Sequence, residues 1–132
     1  MTVDDGDGVK KLRDLNVRMI RLHKVLLDRQ HEAYERDYGP VMPARLLQLV
    51  LTSEQFAWLR PLSDLMARID EAVDDSETSR TTVEGLFREV HGLLRSNRQG
   101  AFETRYRDAL QESPDVVIAH ADVVRALPRR DQ

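Results

Sequence analysis

Two pairs of carboxylates, four histidines and one arginine–proline step carry whatever chemistry this 132-residue chain could perform. Glu32-x-x-Glu35 and Glu71-x-x-Asp74 place acids three residues apart, so each pair shares one helix face. Two such pairs facing each other would form an oxygen cage of the kind that holds Mg²⁺. The histidines stand at 23, 31, 91 and 120. Two imidazoles and one inward acid would suffice for a transition-metal ion, and His23 with His120 is the pair that could share an interior. Arg60 precedes Pro61, with Ser63 and Asp64 just beyond and the only tryptophan, Trp58, just before. A guanidinium there could take up carbonyls freed by the proline, or anchor a ligand or partner. Cysteine is absent, which removes thiolate catalysis, disulfides and cysteine-based zinc sites together.

The elements that must position these residues are helices. Leu12, Leu15, Met19, Leu22, Leu26 and Ala33 recur at three- and four-residue steps, and no Gly or Pro intervenes before Gly39-Pro40. A first helix over Val9–Tyr38 follows. A second apolar stripe, Val9, Ile20, Leu27 and Tyr34, lies beside the first. The apolar arc therefore spans about half the circumference, wider than a surface helix requires. Either this helix packs against two neighbours, or its second stripe meets another molecule.

Gly39-Pro40-Val41-Met42-Pro43 reads as a loop, followed by a helical stretch over Ala44–Leu51. Thr52-Ser53-Glu54-Gln55 has capping-box spacing. Beyond it Phe56, Leu59, Leu62, Met66, Ile69 and Val73 form the stripe of a central helix, which Pro61 should kink near Ala57–Arg60. A polar linker, Asp74–Ser79, leads to Thr81-Thr82-Val83-Glu84, a second capping-box pattern, and to a helix carrying Val83, Leu86, Phe87, Val90, Leu93 and Leu94. Asn97–Gly100 breaks that helix, and Ala101–Gln111 is a shorter amphipathic segment. Ser113-Pro114-Asp115 supplies an N-cap, a proline at N1 and a first-turn acid, so a last helix runs to about Ala126. The expected fold is all-α: an up-and-down bundle with a long first helix, a proline-kinked central helix and shorter C-terminal helices. The expected boundaries are a disordered acidic tail over 1–8, one domain over 9–127 and a disordered tail over 128–132.

On these helices most of the candidates point the wrong way for chemistry. The acid pairs resemble those of all-helical nucleotide pyrophosphatases, a likeness that implies Mg²⁺ held between helices. Yet Asp28, Glu32 and Glu35 lie opposite the leucine stripe, Glu71 and Asp74 lie outside the apolar arc, and no lysine motif follows. Bundle metal sites need inward carboxylates. Asp28-x-x-His31 resembles half of the Glu-x-x-His element of di-iron bundles, but it occurs once and with Asp. No Gly-x-Ser-x-Gly elbow and no phosphate-binding glycine loop is present. No catalytic residue and no cofactor is assigned on this reading.

Net charge is −3, and its 20 basic and 23 acidic residues interleave along nearly every segment, which disfavours a nucleic-acid partner. The longest apolar run, Leu46–Leu51, is too short to cross a bilayer, and Met1–Gly8 has no signal-peptide pattern. A cytoplasmic location is therefore expected. The segments Phe56-Ala57-Trp58-Leu59-Arg60-Pro61-Leu62-Ser63 and Ser113-Pro114-Asp115-Val116-Val117 resemble stretches of a family of short, all-helical bacterial proteins of unknown function. That resemblance spans most of the chain, implies a bacterial source and transfers no functional residues. The reading that results is a non-enzymatic bundle acting through protein–protein contact, either with itself or with a protein partner. Ile20, Leu27, Tyr34, Trp58 and Arg60 are its candidate interaction residues. A small-molecule or metal-binding bundle using His23 and His120 is the alternative, and a Mg²⁺-dependent nucleotide pyrophosphatase comes third.

Overall fold

A leucine or methionine every three or four residues over about four turns, Leu12 to Leu26, makes the first helix the axis around which the rest of the chain is arranged. The computed structural model describes residues 5–95 and 100–128. Seven helices and no strand occur among them: α1 (Asp5–Tyr38), α2 (Pro43–Thr52), α3 (Glu54–Ala57), α4 (Arg60–Asp74), α5 (Arg80–Leu94), α6 (Ala101–Glu112) and α7 (Pro114–Ala126). Leu12, Leu15, Met19, Leu22 and Leu26 are all fully buried, as expected of the main stripe.

The long helices alternate in direction. Arg13 Nη2 donates to the Val73 carbonyl (3.2 Å) and Asn16 Nδ2 to that of Met66 (3.4 Å), so α4 runs antiparallel to α1. Arg18 pairs with Asp122 of α7, and Arg29 with Glu112, the last residue of α6 just before α7, so α7 also runs antiparallel to α1. Arg68 pairs with Glu89 between α4 and the returning α5. One core joins them, with Ile69, Val90, Val116 and Val123 fully buried alongside the α1 leucines. The short α6 doubles back on α7 and reaches Trp58 through Phe102, with ring centroids 5.8 Å apart.

Three local boundaries differ from the expected ones. First, α1 begins at Asp5, inside the segment expected to be a disordered tail. An acidic first turn suits the positive end of the helix dipole, Lys11 pairs with Asp7, and Gly8 lies beside Val83 of α5, so these turns have something to rest on. The remainder of that expected tail, residues 1–4, lies outside the described residues. So do 97–99 of the expected break and 129–132 of the expected C-terminal tail.

Second, the caps are serines. Ser53, not Thr52, accepts from Gln55 N (3.2 Å) at the start of α3. Ser79, not Thr81, accepts from Thr82 N (3.1 Å) at the start of α5. Thr52 belongs to the end of α2, where its hydroxyl donates to the Gln48 carbonyl (2.7 Å). Third, the kink expected near Ala57–Arg60 takes the form of a break. α3 stops at Ala57, Trp58 and Leu59 turn the chain, and Pro61 occupies the first turn of α4. There its missing N–H has no helical partner to lose. Ser113, Pro114 and Asp115 start α7 in the expected roles, with Ser113 Oγ accepting from Val116 N (3.3 Å).

Candidate interaction surface

The carboxylate pairs are separated by the antiparallel packing of their helices. Glu71 and Asp74 end α4 beside the Arg13 level of α1, because Arg13 bonds to Val73. Glu32 lies 19 residues further along α1, about 30 Å at 1.5 Å per residue. Glu32, Glu71 and Asp74 are exposed. Glu35 has a structural task, since its Oε2 accepts from Val41 N (2.8 Å) and secures the loop after α1. That loop turns at Gly39, whose φ of +92° is the left-handed conformation that favours glycine.

His23 and His120 do not combine into a metal centre: among the described residues no group of three His, Cys, Asp or Glu could hold an ion. Each is nonetheless partly buried. Burial alone lowers the pKa of His23, and burial together with the Arg95 charge lowers that of His120. His120 Nδ1 is bonded instead to the Tyr106 hydroxyl at 2.7 Å. His31 Nε2 stands 3.2 Å from Glu35 Oε2, at an angle that makes no hydrogen bond.

Of the five residues expected to form an interaction site, four are engaged within the chain. Trp58 is only 9% exposed. Its Nε1 donates to Gln30 Oε1 (2.9 Å), and its ring takes the Arg105 guanidinium 6.0 Å from the centroid. It is a core residue at the α3–α4 break. Leu27, with Val9 from the same stripe, packs against the core. Tyr34 is half-buried against the rings of Phe56 and Tyr38, at 6.0 and 4.7 Å. Arg60 is exposed but donates to the Leu51 carbonyl (3.1 Å), closing the open C-terminal end of α2. That carbonyl belongs to the end of a neighbouring helix and is not one freed by Pro61. Ile20 alone stays free, at 51% exposure. The second stripe of α1 is thus filled largely from within.

A different surface is uncovered. In α2 only Arg45 is charged, and only Leu49 is fully packed. Leu46 and Val50 are half-buried beside Leu49 on the inner side. Ala44, Leu47 and Leu51 follow three- and four-residue steps along the outer side, where Leu47 is 61% and Leu51 64% exposed. Met42, 75% exposed, and Tyr38, 63% exposed, precede α2 in the chain. Arg45, Gln48 and Thr52 form one exposed polar line along α2, and of the apolar remainder only one side is covered, where a largely apolar helix is normally enclosed. The same run, Leu46–Leu51, is visible in the sequence as its longest apolar run. Its exposure follows from the short α2–α3 corner, which folds the helix back on Phe56 and turns half of it outward. No helix among the described residues is long and apolar enough to cross a membrane.

No family model matches the chain, and neither a curated protein nor a solved structure shows significant similarity to it.

Proposed function

We propose that the protein is a non-catalytic bacterial interaction module, working in the cytoplasm, that associates with a second copy of itself through the outer strip of α2. The observation that carries this reading is the contrast between the α2 strip and the second stripe of α1. Folding of the chain covers most of the α1 stripe and leaves Leu47, Leu51 and Met42 in water. The strip has the three- and four-residue rhythm of a helix-pairing seam, and the only charge of α2, Arg45, lies off that rhythm. Two copies meeting antiparallel along α2 would therefore bury leucine against leucine without burying a charge.

Three or four such side chains expose on the order of 100 Å² apiece. That is well below the ~800 Å² per partner of a standard interface, so the association is expected to be weak, in the micromolar range. Sedimentation equilibrium over a wide concentration range tests it. The native chain is expected to move from monomer to dimer, and Leu47→Glu with Leu51→Glu is expected to remain monomeric with unchanged helicity. A native chain that stays monomeric throughout, or a double variant that dimerises equally well, overturns the proposal.

A further inference from the structure

We propose that α6 is a cover over the Trp58 end of the bundle, latched to α7 by the Tyr106–His120 hydrogen bond and released when His120 takes up a proton. This inference is independent of the α2 strip. It rests on a row of four rings that runs from the α3–α4 break across α6 to α7. Trp58 meets Phe102 at 5.8 Å, Phe102 stacks on Tyr106 at 5.2 Å with planes 15° apart, and Tyr106 meets His120 at 5.6 Å. Phe102 and Tyr106 both belong to α6 and are almost fully buried. The last link in the row is polar: 2.7 Å between Tyr106 Oη and His120 Nδ1.

The direction of that bond is fixed by its partners. Burial raises the pKa of the Tyr106 phenol, which keeps its proton and donates it. His120 must then accept at Nδ1, which requires a neutral ring carrying its proton on Nε2. When a solvent proton arrives at Nδ1, two donors face each other. The phenol oxygen can turn to accept from the imidazolium, but its own proton is then left buried without a partner. This is the only hydrogen bond of the Tyr106 hydroxyl among the described residues. An unpaired buried donor costs about 1–3 kcal/mol.

The surrounding charges do not relieve this. The end of α5 brings Arg95, whose positive charge opposes a second one on His120. α1 brings Arg18 and Arg21 to α7, both directed to Asp122, which also meets Arg125 of α7 itself. α6 brings Tyr106. Among the described residues no acid is paired with His120. α6 is also the helix best placed to leave. It contributes Phe102, Tyr106 and Ala109 to the core, whereas the α1–α4–α5–α7 body keeps its own leucine and valine layers without it. Its departure would uncover Trp58 and Phe102 together, an aromatic surface that is closed at neutral pH.

Hydrogen–deuterium exchange on the full chain, corrected for intrinsic rates, tests this at about pH 7.5 and about pH 5. Trp58 fluorescence quenching by acrylamide provides a second readout. Acidification is expected to raise exchange in Ala101–Glu112 and quenching of Trp58 several-fold while α1 and α4 stay protected. His120→Gln, which keeps an acceptor but not the titration, is expected to abolish the response, and His23→Gln to leave it intact. Tyr106→Phe is expected to loosen α6 already at neutral pH and to shrink the acid step. Equal α6 protection at both pH values overturns the proposal. So does a response that persists in His120→Gln, or one that disappears in His23→Gln. Should His120→Gln not fold, the Tyr106→Phe comparison decides: an undiminished acid step in that variant also overturns it.

Discussion

Asn16 is the polar residue the fold treats least well. It is buried, with 7% of its surface exposed. Its amide makes one long bond, 3.4 Å to the Met66 carbonyl, and its Oδ1 has no partner. An orphaned acceptor of this kind costs about 1–3 kcal/mol, so filling the site with hydrocarbon should help rather than harm. Asn16→Leu is expected to raise the urea midpoint, corresponding to about 1 kcal/mol of added stability; a lower midpoint would show that the amide holds the α1–α4 seam. His23 and Gln30 follow Asn16 at seven-residue steps, and Gln30 is satisfied by Trp58. His23 and His120 both carry lowered pKa values in the folded chain, so the unfolded chain takes up protons first as pH falls. Their stabilising contribution is therefore complete above about pH 6.5 and declines as pH drops through the folded values. Urea midpoints at about pH 7.5 and about pH 5 are expected to differ in that direction, and His23→Gln to narrow the gap.

Helix starts offer a sharper comparison, because the sequence names one set of caps and the structure another. Ser113→Ala and Ser79→Ala each remove an observed side-chain acceptor and are expected to cost about 1 kcal/mol. Thr81→Ala, at the cap the threonine pattern suggested, is expected to cost only a few tenths because it makes no capping bond; thermal melts of the three variants decide. The threonine pattern misled because Ser, Thr and an acid occur at several overlapping registers in Thr78–Glu84, and composition cannot choose among them. At Ser113 there is a single register, fixed by Pro114, and the helix start was legible. Pro61 was legible as a disturbance but not in kind. A kinked interior proline costs about 3 kcal/mol, whereas one in a first turn is nearly free. Pro61→Ala is thus expected to change stability by less than about 1 kcal/mol.

The full assembly shows why the all-α fold could be read and the exposed surface could not. Periodicity reports that Leu12, Leu15, Met19, Leu22 and Leu26 share a face, and a chain with one long stripe must fold back on it. Leu22→Ala is expected to cost about 2–5 kcal/mol by denaturant titration, while Ile20→Ala, on the exposed flank, should stay within about 0.5 kcal/mol. What periodicity does not report is which neighbour fills a face. Leu27 and Ile20 carry the same signal, yet one packs inside and the other does not. Leu47 and Leu51 look like core in the sequence and stand in water because the corner at Ser53 turns α2 outward. For the candidate histidines, α1 and α7 do pack together, and His120 Nδ1 meets the Tyr106 hydroxyl, a partner that periodicity does not name.

The central position of α1 also has a consequence for biosynthesis. α1 is made before the helices that cover it, and its pairing with α7 through Arg18–Asp122 and with the end of α6 through Arg29–Glu112 joins positions 104 and 83 residues apart. At ribosomal rates of about 5–20 residues per second, the interval between the end of α1 and the end of α7 lasts roughly five to twenty seconds. For that time one flank of the leucine row waits on the nascent chain without its last covering helix. The stretch that organises the finished molecule is therefore also the one most in need of a chaperone while the chain is being made.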